Sequence, residues 1–263
     1  MKDLLMISKN IIAPVTSLGR LLCLLSFKRD QMLRWLVVTS HRNIVSQVEK
    51  SRRRSCNMSS LAKLAKQKYD YFLVLDLEAT CERERAPRPQ EIIEFPVLKV
   101  SGHTFEIESI FHEYVRPKAH PVLSSFCTEL TGIIQDMVDG QPVFEDVLQM
   151  FVTWMREQRL LSSQFIFVTF GDWDLLKMLP SQCAYSGVPV PEYMKTWVNL
   201  KKSFSEATGH WPKTLPQTME YCGMETIGRH HSGIDDCRNN AAILKWLAQQ
   251  GYVFSATGST LPS

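Results

Sequence analysis

The chain has 263 residues, of which 44% are apolar and 22% charged, a composition that suits a globular protein with one sizeable core. The sequence has seven cysteines, an odd number, and no C-x-x-C pair, which argues against a disulfide framework or a structural zinc site. The net charge of +3 is unevenly distributed, because the first 60 residues carry +8 and the remainder carries −5.

The basic N-terminal extension, residues 1–66, is rich in Arg and Ser. We expect either a targeting peptide of the mitochondrial type or a poorly ordered extension. Lys28, Arg29 and Arg34 interrupt its apolar run, so we expect no membrane-spanning helix and no membrane partner. The expected location is intracellular, in the cytoplasm, the nucleus or both, with mitochondria as the alternative. The globular pattern occupies residues 67–255 and a short C-terminal tail follows at 256–263.

The first strand of the globular pattern ends at two carboxylates. The apolar run from Tyr71 is typical of a strand buried on both faces, and Asp76 and Glu78 follow it. Side chains two residues apart on a strand share a face, so the two carboxylates should point the same way while Leu77 faces the core. Adjacent carboxylates repel, and a hard cation such as Mg²⁺ or Mn²⁺ relieves that repulsion. Taken alone, this pair also fits a strand end whose acids are simply solvated.

Strand and helix patterns alternate along the rest of the chain. Strand-like segments at 92–100 and 106–115 flank a turn at Ser101-Gly102 and predict an antiparallel meander with the first strand. The later predicted elements are helices at 124–130 and 142–158, a buried strand at 165–170, a helix from Asp172 that ends at Pro180, and helices at 200–208, 215–222 and 235–249. This order predicts an α/β sandwich with a mixed sheet.

Acidic residues recur where two of these elements begin. Asp172 and Asp174 flank Trp173 after a strand, and His230 and His231 precede a helix whose first turn contains Asp235 and Asp236. An Asp at a helix start is most often an N-cap or a partner of the helix dipole, and we expect Asp172 to be such a cap. The combination, in this order, is far less probable by accident than any of its parts.

These motifs resemble a known enzyme family. Asp76-x-Glu78, Trp173-Asp174 and His231-x₄-Asp236 resemble the three motifs of the DEDDh 3′-to-5′ exonucleases. The closer similarity, over about 68–255, is to the enhanced-RNAi and histone-mRNA 3′-end exoribonucleases, closest to their exoribonuclease 3 (prion-interacting) branch. The segments that carry it are 72–81, 89–96, 126–133, 171–174 and 231–236.

The resemblance implies an RNase H-like three-layer sandwich with a mixed five-stranded sheet flanked by helices. It also implies two Mg²⁺ ions, with Mn²⁺ as an alternative, and release of nucleoside 5′-monophosphates from RNA 3′ ends. The implied metal ligands are Asp76, Glu78, Asp174 and Asp236. The implied catalytic residues are His231, as the general base, and Glu78. The implied substrate contacts are Glu78, Ala79 and His231, with Leu77 and Thr80 nearby. We assign the base to His231 because it has the x₄ spacing to Asp236, whereas His230 has it to Asp235. The segment from Phe126 to Gly132 would either wall the base of the substrate or pack in the core.

Three alternatives compete with this interpretation. A phosphohydrolase of the HD type needs a His-Asp dipeptide, which the sequence lacks, so we discount it. A non-catalytic RNA-binding module on the same fold would be favoured by a missing ligand, but all five positions are filled. A dual enzyme that also degrades single-stranded DNA stays open, because that choice depends on contacts to the 2′-hydroxyl. We expect a monomer.

Overall fold

The computed structural model of the protein describes residues 64–261, and a mixed β-sheet forms the centre of this part of the chain. The predictions made for the N-terminal extension fall almost entirely outside these residues. The strands are β1 (Tyr71–Leu75), β2 (Glu78–Ala79), β3 (Ile92–Ser101), β4 (Ile107–Tyr114), β5 (Phe165–Thr169), β6 (Thr196–Asn199) and β7 (Gly258–Ser259). Five of them have four or more residues and form the predicted mixed sheet, while β2 and β7 add two residues each.

The sheet is antiparallel on one side of β1 and parallel on the other. β3 pairs antiparallel with β1, β2 and β4, as the predicted meander requires. β5 lies parallel to β1, β6 lies parallel to β5, and β7 pairs antiparallel with β6. The first strand is therefore central, and the carboxylates that follow it lie at the middle of one sheet edge.

Helices cover both faces of the sheet. They are α1 (Ser125–Thr131), α2 (Gln135–Val138), α3 (Phe144–Glu157), α4 (Leu179–Ser186), α5 (Leu200–Thr208), α6 (Leu215–Tyr221) and α7 (Gly233–Gln249), with short 3₁₀ turns at Leu160–Ser162 and Glu192–Met194. Side chains of β1 alternate between the two layers, because successive residues on a strand face opposite ways. Leu73 and Leu75 pack with α3, while Phe72 and Val74 pack with α7.

The helix that follows β5 differs from its prediction. It was expected to end at Pro180, but a π-helical turn at Asp174–Met178 leads directly into α4, which continues to Ser186. Pro180 lies in the first turn of α4, where a missing N–H costs little because those donors have no partner within the helix. The strand β6 follows this region, at a place where no strand was predicted.

The sheet continues past residue 255, the predicted end of the globular pattern. Within the segment predicted as a tail, β7 extends the sheet, and the N–H of Thr257 donates to the carbonyl of Trp197. At the other end, the side chain of Gln67 donates to Tyr252 and accepts from the N–H of Phe254, so it joins the start of the domain to its end. Among residues 64–261, no helix is long and apolar enough to cross a membrane.

Candidate active site

The end of β1 places two carboxylates beside a third from the last helix. Asp76 follows β1, Glu78 begins β2, and Asp236 lies in the first turn of α7. One ligand atom from each of these three acids lies within 4.8 Å of the others. Leu77, between the first two, is 4% exposed and packs in the core, as the alternation of a strand predicts. Residues about 160 positions apart in the sequence therefore meet in one acidic cluster.

Asp174 joins this cluster from the π-helical turn after β5. Its side chain is buried, and Oδ1 accepts a 2.9 Å hydrogen bond from the backbone N–H of Leu77. Asp174 also raises the pKa of Asp76 and of Glu78 by charge repulsion, which places it in the same electrostatic field. The structure thus brings together all four acids that the sequence motifs single out as ligands.

Asp172 has a different role from the helix cap that the sequence suggested. Its Oδ1 accepts from the indole N–H of Trp197 at 3.0 Å, and its Oδ2 pairs with the ammonium of Lys202 at 2.9 Å. Burial raises its pKa, but these hydrogen bonds outweigh burial and lower it. The Asp172 side chain therefore binds residues of β6 and α5 rather than the N–H groups of a helix. The N-cap prediction was wrong because it considered only the neighbouring sequence.

Burial disfavours the ionisation of all four acids, and the charges of the other acids add to this effect for Asp76 and Glu78. Burial is the largest cause for each, and it raises the pKa of Asp76 well above its usual range, that of Glu78 to about 9 and that of Asp174 to about 6. Burial also raises the pKa of Asp236, against hydrogen bonds from the backbone of His231 and the ring of His230. Several carboxylates this close can all ionise only with cations among them, and carboxylate oxygens are the ligands that Mg²⁺ and Mn²⁺ prefer. The donor set therefore fits the implied metals.

Two histidines precede α7 and stack on each other, with ring centroids 4.0 Å apart. His231 lines the acidic cavity, and its backbone N–H donates to Asp236 Oδ2 at 2.9 Å. His230 Nδ1 lies 3.2 Å from the same oxygen. The backbone of His231 is left-handed, with φ of 63°, a conformation that few non-glycine residues adopt. Burial, followed by the neighbouring His230, lowers the pKa of His231.

A cavity of about 290 Å³ opens at these groups. It is lined by Asp76, Leu77, Glu78, Ala79, Cys81, Gln90, Leu130, Phe170, Trp173, Asp174 and His231. Of the predicted substrate contacts, Thr80 is instead buried, where its hydroxyl accepts from the N–H of Glu91. From the segment predicted to wall the base, Leu130 lines the cavity, whereas the ring of Phe126 carries the guanidinium of Arg83 at 5.1 Å.

Two features of the site had no assigned role in the sequence interpretation. Phe170 and Trp173 line the cavity together with Leu130, and Trp173 is 43% exposed. Glu94 lies behind the acids on β3 with only 1% of its surface exposed, and it adds to the repulsion felt by Asp76 and Glu78. A lone acid inside an apolar strand was the available signal for Glu94, since acids are seldom buried without a specific partner.

Comparison with known proteins identifies the family. The family model described as "Exonuclease" (RNase_T) matches residues 73–244, a range that contains all four acids and His231. The chain belongs to this exonuclease family. Its sequence is 54% identical over 204 residues to human ERI1 exoribonuclease 3, an alignment that covers 76% of this chain and 60% of the human protein. It is also 41% identical over 191 residues to mouse 3′-5′ exoribonuclease 1, covering 70% of this chain and 54% of that relative.

Solved structures of the family share the fold. The nuclease domain of 3′hExo, a DEDDh family member bound to rAMP, superposes with a TM-score of 0.71 at 39% identity, covering 74% of this chain and all of that one. A 3′-exonuclease that recognises the 3′ end of the histone mRNA stem-loop gives a TM-score of 0.66 at 40% identity, over 70% of this chain and 83% of that one. This chain therefore has the RNase H-like sandwich fold of the DEDDh nucleases. The predicted family and fold are confirmed.

Proposed function

We propose that this chain is a divalent-metal-dependent 3′-to-5′ exoribonuclease that releases nucleoside 5′-monophosphates. The observation that carries the proposal is the meeting of Asp76, Glu78, Asp174 and Asp236, with His231, around one open cavity. The names of the relatives support the direction and the RNA substrate. The chain spans about 60% of the length of the human relative, so substrate and partners are inferred from the domain alone.

The four acids would hold two divalent cations. When bound, these cations supply positive charge to the phosphodiester and lower the pKa of a bound water. Asp76 and Glu78 sit on the rigid end of a central strand, while Asp174 is fixed by the N–H of Leu77 and Asp236 by that of His231. Such fixed side chains keep the ligand positions constant, which is the property a metal site needs.

His231 is the proposed general base. Its ring lines the cavity, and its lowered pKa keeps the imidazole neutral at physiological pH, so a ring nitrogen can accept the proton of the attacking water. The N–H of His231 is tied to Asp236, so the base and one metal ligand are positioned together. His230 contacts Asp236 from outside the cavity and stacks on His231, which suits a supporting role.

The proposed site of the 3′-terminal base of the RNA is formed by Leu130, Phe170 and Trp173, which line the cavity. Trp173 offers an exposed ring, and Leu130 and Phe170 extend the surface. Stacking and apolar contact tolerate any base, as an enzyme that shortens its substrate stepwise requires. The related nuclease domain is bound to rAMP, which supports the binding of a nucleotide by this chain.

The test uses single-stranded RNA labelled at its 5′ end, with Mg²⁺ or EDTA. The wild-type protein should produce a ladder that shortens from the 3′ end and needs the metal. Asp174→Asn should abolish the ladder. Asp172→Asn is the matched control, because Asp172 lies two residues away and contacts Trp197 and Lys202 rather than the acidic cluster.

The cleavage gel, together with a measurement of RNA binding, separates the exoribonuclease from the alternative functions. RNA binding without cleavage under any divalent ion would favour the non-catalytic module and refute the proposal. A DNA strand of the same sequence, degraded at an equal rate, would make the chain a dual exonuclease. Loss of activity in Asp172→Asn but not in Asp174→Asn would show that the ligand had been assigned to the wrong aspartate.

A further inference from the structure

Glu94 connects the acidic cluster to the start of the last helix. Its Oε2 accepts from the backbone N–H of Gly233 at 2.9 Å, and its Oε1 accepts from that of Ile234 at 3.2 Å. The ring Nε2 of His112, on β4, lies 2.8 Å from Oε1. Both carboxylate oxygens of Glu94 are therefore already engaged by the protein.

These contacts replace a local helix cap. The first N–H groups of a helix have no partner within it and are usually satisfied by a side chain just before the helix. Within residues 64–261, the Ser232 side chain at the N-cap position makes no such hydrogen bond. Glu94, from a strand 139 positions away in the sequence, supplies the acceptors instead. The position of the first turn of α7 thus depends on β3.

That first turn contains one acid of the cluster and is bonded to His231, which precedes it. Asp236 lies in it, and its Oδ2 holds the backbone of His231. The turn also packs tightly on the sheet, because a Cβ added to Gly233 would lie 2.7 Å from the carbonyl oxygen of Asp76 and 3.0 Å from Glu94 Oε2. A displacement of this turn would move Asp236 relative to Asp76 and Glu78.

Glu94 also adds negative charge behind the ligands. It is the cross-strand partner of Glu78 in the β2–β3 pair, so the two side chains lie on the same face of the sheet. Its charge raises the pKa of both Asp76 and Glu78. The negative charge of Glu94 repels the neighbouring carboxylates in the metal-free site, and it attracts a cation to that site.

We propose that Glu94 is a positioning residue of the active site: it fixes the first turn of α7, and with it Asp236 and His231, and its charge strengthens cation binding without direct ligation. This inference rests on the proposed function, since it assumes that the acidic cluster holds divalent metal. Glu91 is a matched control, because it is also buried, at 2% exposure, and accepts from three backbone N–H groups, those of Lys118, Ala119 and His120. Its partners belong to a loop rather than to α7.

The experiment measures Mn²⁺ binding by calorimetry without RNA, together with kcat and KM on RNA. Glu94→Gln should raise the Mn²⁺ dissociation constant about tenfold, as loss of a group that supports metal ligands typically does. It should lower kcat and leave KM for RNA nearly unchanged. Glu91→Gln should keep the wild-type Mn²⁺ affinity. Glu94→Asp, which keeps the charge but shortens the side chain, should weaken Mn²⁺ binding less than Glu94→Gln and serves as the readout if the Gln variant does not fold.

Wild-type Mn²⁺ affinity in a folded Glu94 variant would overturn the inference. So would an equal loss in Glu91→Gln, because the effect would then be a general cost of altering a buried carboxylate. Failure of the proposed function is distinguishable, since it would appear as a wild-type protein that binds Mn²⁺ but degrades no RNA.

Discussion

Glu78→Gln should stabilise the metal-free protein at neutral pH although it should abolish activity. Burial, together with the charges of Glu94, Asp236 and Asp174, raises the pKa of Glu78 from 4.5 to about 9. Between these two pH values the folded protein holds a proton that the unfolded chain releases. Folding is therefore favoured at low pH, and this contribution is lost as the pH rises toward 9.

The size of the effect follows from this window. Each pH unit within it removes about 1.4 kcal/mol of stability, so the loss between pH 4.5 and pH 7 is about 3 kcal/mol. Glutamine has nearly the same shape and no charge, so Glu78→Gln should recover up to that amount. For a domain of this size, each kcal/mol corresponds to about 2–4 °C in Tm, and the expected gain is at most about 6–12 °C.

The assay is thermal unfolding in EDTA at pH 5 and pH 7, followed by circular dichroism. The gain from Glu78→Gln should be large at pH 7 and small at pH 5. Excess Mn²⁺ should reverse the order, because a ligand that binds only the folded state stabilises it and the variant lacks one ligand. Glu113→Gln, on β4 and outside the cavity, should match the wild type throughout. A Glu78→Gln protein that melts below the wild type in EDTA at pH 7 would refute the electrostatic reasoning.

Three further predictions concern other parts of the site. His231→Ala should lower kcat by about 10²- to 10⁴-fold, while its Mn²⁺ affinity, measured by calorimetry, should stay near that of the wild type. Because burial lowers the pKa of His231, kcat of the wild type should fall on the acidic side only below pH 6.5. A fall that begins above pH 6.5 would contradict the role of His231 as the general base. Trp173→Ala should weaken single-stranded RNA binding, measured by anisotropy in EDTA, by about 1–3 kcal/mol, whereas Trp211→Ala, an exposed tryptophan in the loop before α6, should leave it unchanged. Gly233→Ala should lower both Tm and kcat, because its Cβ would clash with the backbone of Asp76; unchanged melting and kinetics would show that α7 can shift freely.

The sequence was most informative where a local pattern and a chemical motif coincide. The buried run from Tyr71 identified the central strand, and the two carboxylates after it lie where the alternation of a strand places them. The family resemblance also selected Asp174 rather than Asp172, and the structure brings Asp174 to the cluster. These features depend on residues close together in the chain or on a resemblance that spans it.

The remaining features depend on long-range contacts that have no local signal. The four residues of β6 are too few to show a period, and pairing with β5 and β7 makes them a strand. Asp172 is adjacent to a helix start, yet its side chain bonds to Trp197 and Lys202. Glu94 caps a helix that begins 139 residues later. In each case the partner that decides the role is distant in sequence and near only after folding.

In the proposed reaction, the acidic cluster removes nucleotides from the 3′ end of RNA with the help of divalent metal. One RNA labelled at its 3′-terminal nucleotide, compared with the same RNA labelled at its 5′ end, tests this reaction when the early products are identified by chromatography and mass. The 3′ label should appear at once as a nucleoside 5′-monophosphate, the 5′ label should stay in long fragments, and EDTA should stop the reaction. Early release of the 5′ label, internal fragments, nucleoside 3′-monophosphates or full activity in EDTA would refute the proposed reaction.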